Sequence, residues 1–259
     1  MKYLQADLII LMGIYPSLDH EMLREFIQTK TSRDQKIILL NTMEDSKIVD
    51  GLDLLCRYEV GAEESVLALL VKYLFAQDLD DVALQNYFDA LDDGYICAEC
   101  NIGEEEFATI ADMVHGSKKI SFIVGKDLQV HPQSENIQIL LEILARSSKI
   151  CVTNLLGETY VKSNRLPCAL QELKSFDGTV VMRYVSSTDL DCLFGSNQFA
   201  IASKSKPNES ILIHSKEGVL QKTFVLDEKL KGTIALMPVA KEAVSYRYEV
   251  VKITKREVQ

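Results

Sequence analysis

Residues 119–154, KISFIVGKDLQVHPQSENIQILLEILARSSKICVTN, restrict the fold more than any other stretch, because they spell one strand–helix–strand unit. Ile120, Phe122, Ile123 and Val124 form a near-continuous apolar run of strand length, the pattern of a strand covered on both faces, as in a parallel sheet. Gly125 ends that run. A polar turn carrying Pro132 follows, and Ser134 or Asn136 caps a helix in which Ile137, Leu140, Leu141 and Leu144 share one face, flanked by Ile139 and Ile143. So wide an apolar stripe calls for a sheet beneath it. Ile150, Cys151 and Val152 then open the next strand, and a parallel return over a helix is the crossover from which α/β folds are built.

A second unit of the same kind lies at the start. Residues 8–12 read as a strand ending at Gly13, Ser17 or Asp19 caps a helix burying Met22, Leu23, Phe26 and Ile27, and residues 37–40 form the second strand. Gly13 in LMGIYP and Gly125 in IVGKDL occupy matching places, which marks a weak internal repeat. Lys2 to Gln5 reads as the last turn of a helix, so the chain is expected to be the C-terminal piece of something longer. Between the repeats the pattern is mainly helical. One helix carries Val66, Leu69, Leu70, Tyr73 and Leu74 behind Glu63 and Glu64, another runs from Val82 to a cap at Gly94, and a third is capped by Asn101 and closed by Gly116.

After Leu155 the character changes. Residues 157–177 read as a connection, and short β-type runs follow at 179–185, 198–203, 210–214, 219–226, 233–237 and 246–253, with a hairpin turn at Glu217 and Gly218. A small β-rich, barrel-like domain is the economical reading. The domains expected are therefore residues 1–155, α/β, and 156–259, connection plus β-rich domain.

A chain of 259 residues is long enough to bury a large core, and 47% hydrophobic with 25% charged residues is ordinary globular composition. No apolar run reaches the ~20 residues of a membrane span, and no signal-peptide pattern opens the sequence, so a cytoplasmic location without direct membrane insertion is expected. The formal charge of -10 and the absence of a Lys/Arg cluster, apart from the short run Lys252, Lys255 and Arg256, argue against a nucleic-acid partner. The six cysteines, scattered in a chain without export signals, are expected to be reduced thiols.

Cys97 and Cys100 in ICAEC are the only pair at metal-ligand spacing; a closed site would have to recruit Cys151, Cys168, Cys192 or His115, and a redox dithiol would be expected at a strand-to-helix turn rather than between two helices. Gly13 and Gly125 stand where open α/β sheets bind ligands, outside the carboxyl ends of strands, but neither lies in a G-x-G-x-x-G or P-loop pattern. No nucleophile elbow or H-E-x-x-H occurs. His131 reads as a turn residue, and His20, His115 and His214 have no evident partner. The acidic sets Glu63 with Glu64, Asp92 with Asp93, and Glu104 to Glu106 fall at helix ends, where solvation or the helix dipole accounts for them. On the residues alone, no catalytic residue and no metal-ligand set is assigned.

Several stretches resemble the molybdopterin-oxidoreductase family: ADLIILMGIYPSLDHEMLREFI, VGAEESVLALLVKYL, ISFIVGKDLQVHP and SENIQILLEILA. More narrowly, AECNIGEEE, GVLQKTFVLDEKLKGTIALMPV and YRYEVVKI are similar to the C-terminal part of the large iron-sulfur subunit of bacterial NADH-quinone oxidoreductase, respiratory complex I. The resemblance implies a parallel-sheet, Rossmann-like domain of molybdopterin-oxidoreductase type with a smaller β-rich domain behind it. It implies a structural, docking region of a respiratory-chain peripheral arm, with no cofactor on this chain, iron-sulfur clusters in the preceding part or in partner subunits, and the other NADH dehydrogenase subunits as partners. An alternative is an oxidoreductase fragment that keeps a pterin or nucleotide at the Gly13 and Gly125 crevice.

Overall fold

The computed structural model describes residues 4–30, 34–75, 81–241 and 245–255. The chain divides into two compact units, Met1–Leu173 and Lys174–Gln259. The expected opening turn falls partly on Lys2 and Tyr3, and the basic run partly on Arg256, all outside the described residues.

The first unit is built on β1 (Leu8–Met12), whose five side chains are all buried. Burying an apolar side chain of this size contributes about 1.5–3 kcal/mol, so a strand covered on both faces is a strong organising element. α1 (Pro16–Asp19) and α2 (Glu21–Gln28) lead to β2 (Lys36–Asn41). β3 (Leu54–Arg57) follows, a strand the sequence pattern does not mark in a stretch that reads as mainly helical. Four helices come next: α3 (Glu63–Phe75), α4 (Val82–Asp89), α5 (Asp93–Cys100) and α6 (Glu104–His115). β4 (Ile120–Val124), α7 (Lys126–Gln129), α8 (Ser134–Leu144) and β5 (Ile150–Asn154) complete the sheet. The strand order is β3-β2-β1-β4-β5, parallel throughout. Both predicted strand–helix–strand units are present, and their first strands are neighbours: Ile10 stands between Ile38 and Phe122.

Alternation along β1 separates two cores. Leu8, Ile10 and Met12 pack with α3, α6 and α8, whereas Ile9, Leu11 and Ile14 pack with Leu23 and Ile27 of α2.

Local signals settle differently from several expectations. His20, not Ser17 or Asp19, caps α2, its Nδ1 accepting from Leu23 N–H at 3.2 Å, because both alternatives are engaged elsewhere: Ser17 with Asp45, Asp19 with Tyr15 N–H. Gly94 sits in the first turn of α5, and Ala90 closes α4. Asn101 is the left-handed C-cap of α5 (φ 58°), a role its short amide tolerates, and Gly103 starts α6. α8 is preceded by Gln133 without a side-chain cap, since Asn136 turns inward. The unit boundary lies at Leu173 rather than Leu155 because residues 158–173 run back over the first unit as a strap: Tyr160 N–H donates to Val152 O (3.0 Å), Arg146 holds Ser163 O (2.6 Å), and Arg165 pairs with Glu142 (2.6 Å).

The second unit is one mixed sheet of β6 (Val180–Val185), β7 (Cys192–Gly195), β8 (Ser210–Ser215), β9 (Gly218–Leu226), β10 (Ile234–Val239), β11 (Tyr248–Val250) and β12 (Lys252–Lys255), in the order β11-β6-β10-β7-β9-β8-β12. β11 and β12 lie at its two opposite edges, yet a single residue, Val251, joins them. The sheet must therefore curl until its edges meet, which bears on the barrel-like expectation and explains why one predicted strand over 246–253 is two. Val181, Leu193, Ile211, Ile213, Phe224 and Val251 fill the interior.

The run 198–203, read as a strand, belongs instead to helix α9 (Asn197–Ser203). Ser196 decides this. Its Oγ accepts from Phe199 N–H at 3.0 Å and donates to Gly232 O at 2.5 Å, and Phe199 then stacks on Phe224 while Ile201 stays exposed. Replacing Ser196 with Ala leaves the buried Phe199 N–H of the helix start without its cap and removes the tie to Gly232 O, and is expected to destabilise this unit by roughly 0.5–2 kcal/mol. Urea unfolding followed by circular dichroism measures it; a midpoint identical to wild type would show that the cap contributes nothing.

Candidate functional site

Gly13 and Gly125 do come together, at the carboxyl end of the sheet where β1 and β4 lie side by side and the chain leaves them toward different neighbours. This is the position at which open α/β sheets form a ligand crevice. Here the chain fills it. Gly125 N–H donates to Met12 O at 2.8 Å, and Asp127 N–H donates to Gly13 O at 3.2 Å, so α7 folds directly over the end of β1. A Cβ added to Gly125 would lie 1.9 Å from Gly13 O, and one added to Gly13 (φ +65°) would lie 2.1 Å from Leu128 Cδ1. Leu128, which the sequence reading did not single out, plugs the space with its side chain fully buried.

The neighbouring strand ends are closed as well. Asn41 Nδ2 at the end of β2 donates to Ile14 O (2.9 Å). Asp45, in the loop after β2, accepts from Ser17 N–H and Oγ at 2.8 and 2.7 Å, tying that loop to the one after β1. Burial pushes the Asp45 carboxyl above its ordinary value despite the Ser17 bonds. Asn154 at the end of β5 accepts from Leu156 and Glu158 N–H, both at 3.0 Å. The ensemble is a backbone-to-backbone seal, with side chains committed to holding loops.

Cys97 and Cys100 lie one turn apart within α5 rather than between helices, and both are buried. Burial raises both thiols, Cys100 to about 11, which disfavours the thiolate that nucleophilic and metal-binding chemistry require. Among the described residues, no three His, Cys, Asp or Glu side chains are grouped to hold a metal ion, so neither His115 nor Cys151, Cys168 or Cys192 completes a set with them. All six cysteines are free thiols.

Two acids read as helix-dipole or solvated groups are neither exposed nor idle. Glu63 and Glu64 open α3 in a buried setting. His131, also buried, accepts from Gln133 N–H on Nδ1 (3.0 Å), which leaves its Nε2–H for Gly61 O (3.1 Å), with Glu63 Oε2 lying 3.3 Å from the same nitrogen. Glu64 Oε1 accepts from Asn136 Nδ2 at 2.6 Å, Asn136 Oδ1 accepts from Cys168 N–H at 2.7 Å, and Gln171 N–H reaches Glu64 Oε2 at 3.3 Å. This network ties the strap to the first unit. Sequence offers no signal for it, because its members are separated by up to 107 positions. Of the other acids, Asp92 caps α5 and Asp93 pairs with Lys72 at 2.6 Å. In the second unit His214 Nε2 meets Thr254 Oγ1 at 2.8 Å, a structural partner across β8 and β12.

Gly125→Ala drives a methyl into the Gly13 carbonyl and is expected to destabilise the first unit by more than about 3 kcal/mol, whereas Gly94→Ala, in a roomy helical turn, stabilises it by about 0.5–1 kcal/mol. Chemical denaturation of the two variants side by side tests the seal, and a G125A chain as stable as wild type would refute it. For the strap, Asn136→Ala removes the Asn136 partner of Glu64 Oε1 and of the Cys168 amide and is expected to cost roughly 1–3 kcal/mol locally, accelerating tryptic cleavage after Arg165. The Arg165 tie also has a pH signature. Burial opposes ionisation of Glu142, but bonds from Arg165 and Gln138 outweigh it and hold the carboxyl below its ordinary 4.5. A depressed acid stabilises above its unfolded value, so this tie is complete above 4.5 and is lost as the pH falls through the lowered value. Loss of hydrogen-exchange protection at the Cys168 amide in that window, and not at neutral pH, is the expected result.

No helix of the described residues is long and apolar enough to cross a membrane. Comparison of the sequence with protein-family models and with curated proteins finds no match.

Proposed function

We propose that the chain is a non-catalytic structural and docking region of the large iron-sulfur subunit of respiratory NADH-quinone oxidoreductase, supporting electron transfer from NADH to quinone without carrying electrons itself. The observation that carries this reading is the seal at the β1–β4 switch point: Leu128 and the Gly13–Gly125 backbone contact occupy the place a pterin or nucleotide would take. The sequence resemblance supplies the complex, and an α/β unit followed by a curled β unit agrees with it in outline. In this role the chain binds no cofactor, the iron-sulfur clusters belong to a preceding part or to partner subunits, and those subunits hold it on the cytoplasmic face of the inner membrane.

A molybdopterin- or nucleotide-binding oxidoreductase fragment is the alternative. Its support is the switch-point topology itself, with Gly13 and Gly125 at adjoining strand ends. The two readings part on one preparation: the chain purified from its own cells with whatever accompanies it, analysed for protein partners, metals and pterin. Other NADH dehydrogenase subunits without pterin or molybdenum on this chain are expected. Recovery of the chain alone with stoichiometric pterin, molybdenum or zinc would overturn the docking role.

A further inference from the structure

An open groove of about 430 Å³ lies within the first unit, between α4, α5, the start of α3 and the strap at residues 169–173. Its floor is apolar: Tyr87, Leu91, Ile96, Leu170 and Leu173. Its rim is acidic. Asp92, Glu99 and Glu172 stand around the opening, all exposed, and Tyr95 beside them is 55% exposed, a large aromatic left in water. Among the described residues lining the groove none is a lysine or arginine, and Lys72 on nearby α3 is engaged by Asp93. An apolar floor with a one-signed rim selects for a partner of complementary make-up: an apolar anchor to fill the volume and cations to meet the carboxylates.

From this complementarity we infer that the groove docks a segment of another polypeptide carrying an aliphatic or aromatic side chain flanked by lysine or arginine. A second copy of this chain is a poor occupant, since it brings the same acidic rim and a net charge of -10. A small apolar molecule would use the floor and leave the carboxylates without a role. As a statement about which surface meets a partner, the inference rests on the docking role proposed above, but it uses no residue of the switch-point seal.

The test uses the full chain and two labelled heptapeptides, Lys-Leu-Lys-Phe-Lys-Leu-Lys and its counterpart with Glu for Lys, titrated by fluorescence anisotropy at low and high salt. Wild type is expected to bind the lysine peptide at least about tenfold tighter than the glutamate peptide, with affinity falling as salt rises. The double variant Glu99→Lys with Glu172→Lys, and separately Tyr95→Ala, should each weaken binding at least about fivefold, while Glu59→Lys with Glu228→Lys, which alters the net charge equally but lies outside the groove, leaves it within about twofold. All these positions are exposed, so folding is preserved. Equal loss in both double variants, no peptide binding, uptake of a neutral dye such as Nile red without peptide binding, or a wild-type dimer that the Glu99 and Glu172 reversal dissolves would each overturn the proposal. The two proposals also fail separately. A chain that brings no NADH dehydrogenase subunit from its own cells defeats the docking role and leaves the peptide result standing; subunits that co-purify equally with wild type and with the Glu99 and Glu172 variant defeat the groove alone.

Discussion

The contact on which the first unit depends is the approach of two backbones at Gly13 and Gly125. Parallel strands β1 and β4 run side by side, and at their carboxyl ends the chain departs toward β2 from one and toward β5 from the other. That divergence ordinarily opens a crevice. With no Cβ on either residue, α7 drops into the gap and Leu128 closes it. Any side chain at Gly125 would push the Gly13 carbonyl away, and with it the hydrogen bonds that hold α7 and the first turn after β1. The seal keeps this end of the sheet compact, with Leu128 and α7 packed directly over the end of β1.

Elsewhere the molecule uses polar ties where apolar burial is thin. The strap from 158 to 173 carries few core side chains and is fastened by Asn136, Glu64, Arg146 and Glu142. Such a segment is held by a handful of directional bonds, each sensitive to loss of one partner, in contrast to β1 with its five buried side chains. The second unit is held by topology: joining its two edge strands through Val251 makes the sheet curl around the buried cluster of Phe199, Phe224 and their neighbours.

How far the sequence could be read follows the range of the forces involved. β1, β2, β4 and β5 were legible because a strand buried on both faces writes an unbroken apolar run. β3, LLCR, is too short and too half-buried to do so. Residues 198–203 carry β-type side chains, but the Ser196 hydroxyl outweighs that preference by capping a helix, and a one-turn signal of this kind is easily read as part of a loop. Asn101 shows the same ambiguity, since its amide suits either end of a helix. At the candidate site Gly13 and Gly125 were visible as strand-ending glycines, while Leu128, Asp45 and Asn136 looked like ordinary members of turns and helices. Glu63 and Glu64 were placed correctly at a helix start, but of the two settings left open, solvent or the helix dipole, their burial could not be read, because it depends on what the strap and His131 bring over them.

By itself the sequence determined the local, periodic features: which runs become buried strands, which helices carry an apolar stripe, and that the chain changes from α/β to β-rich. These follow from hydrophobic periodicity, which acts over a few residues and is written in residue order. Only the tertiary structure decided that the two glycines meet, that the crevice between them is filled, that the strap belongs to the first unit, and that an acid-rimmed groove lies beside it. Each of those depends on groups distant along the chain, and the physical cost of a clash or an unpaired carboxylate arises only when folding brings them within contact.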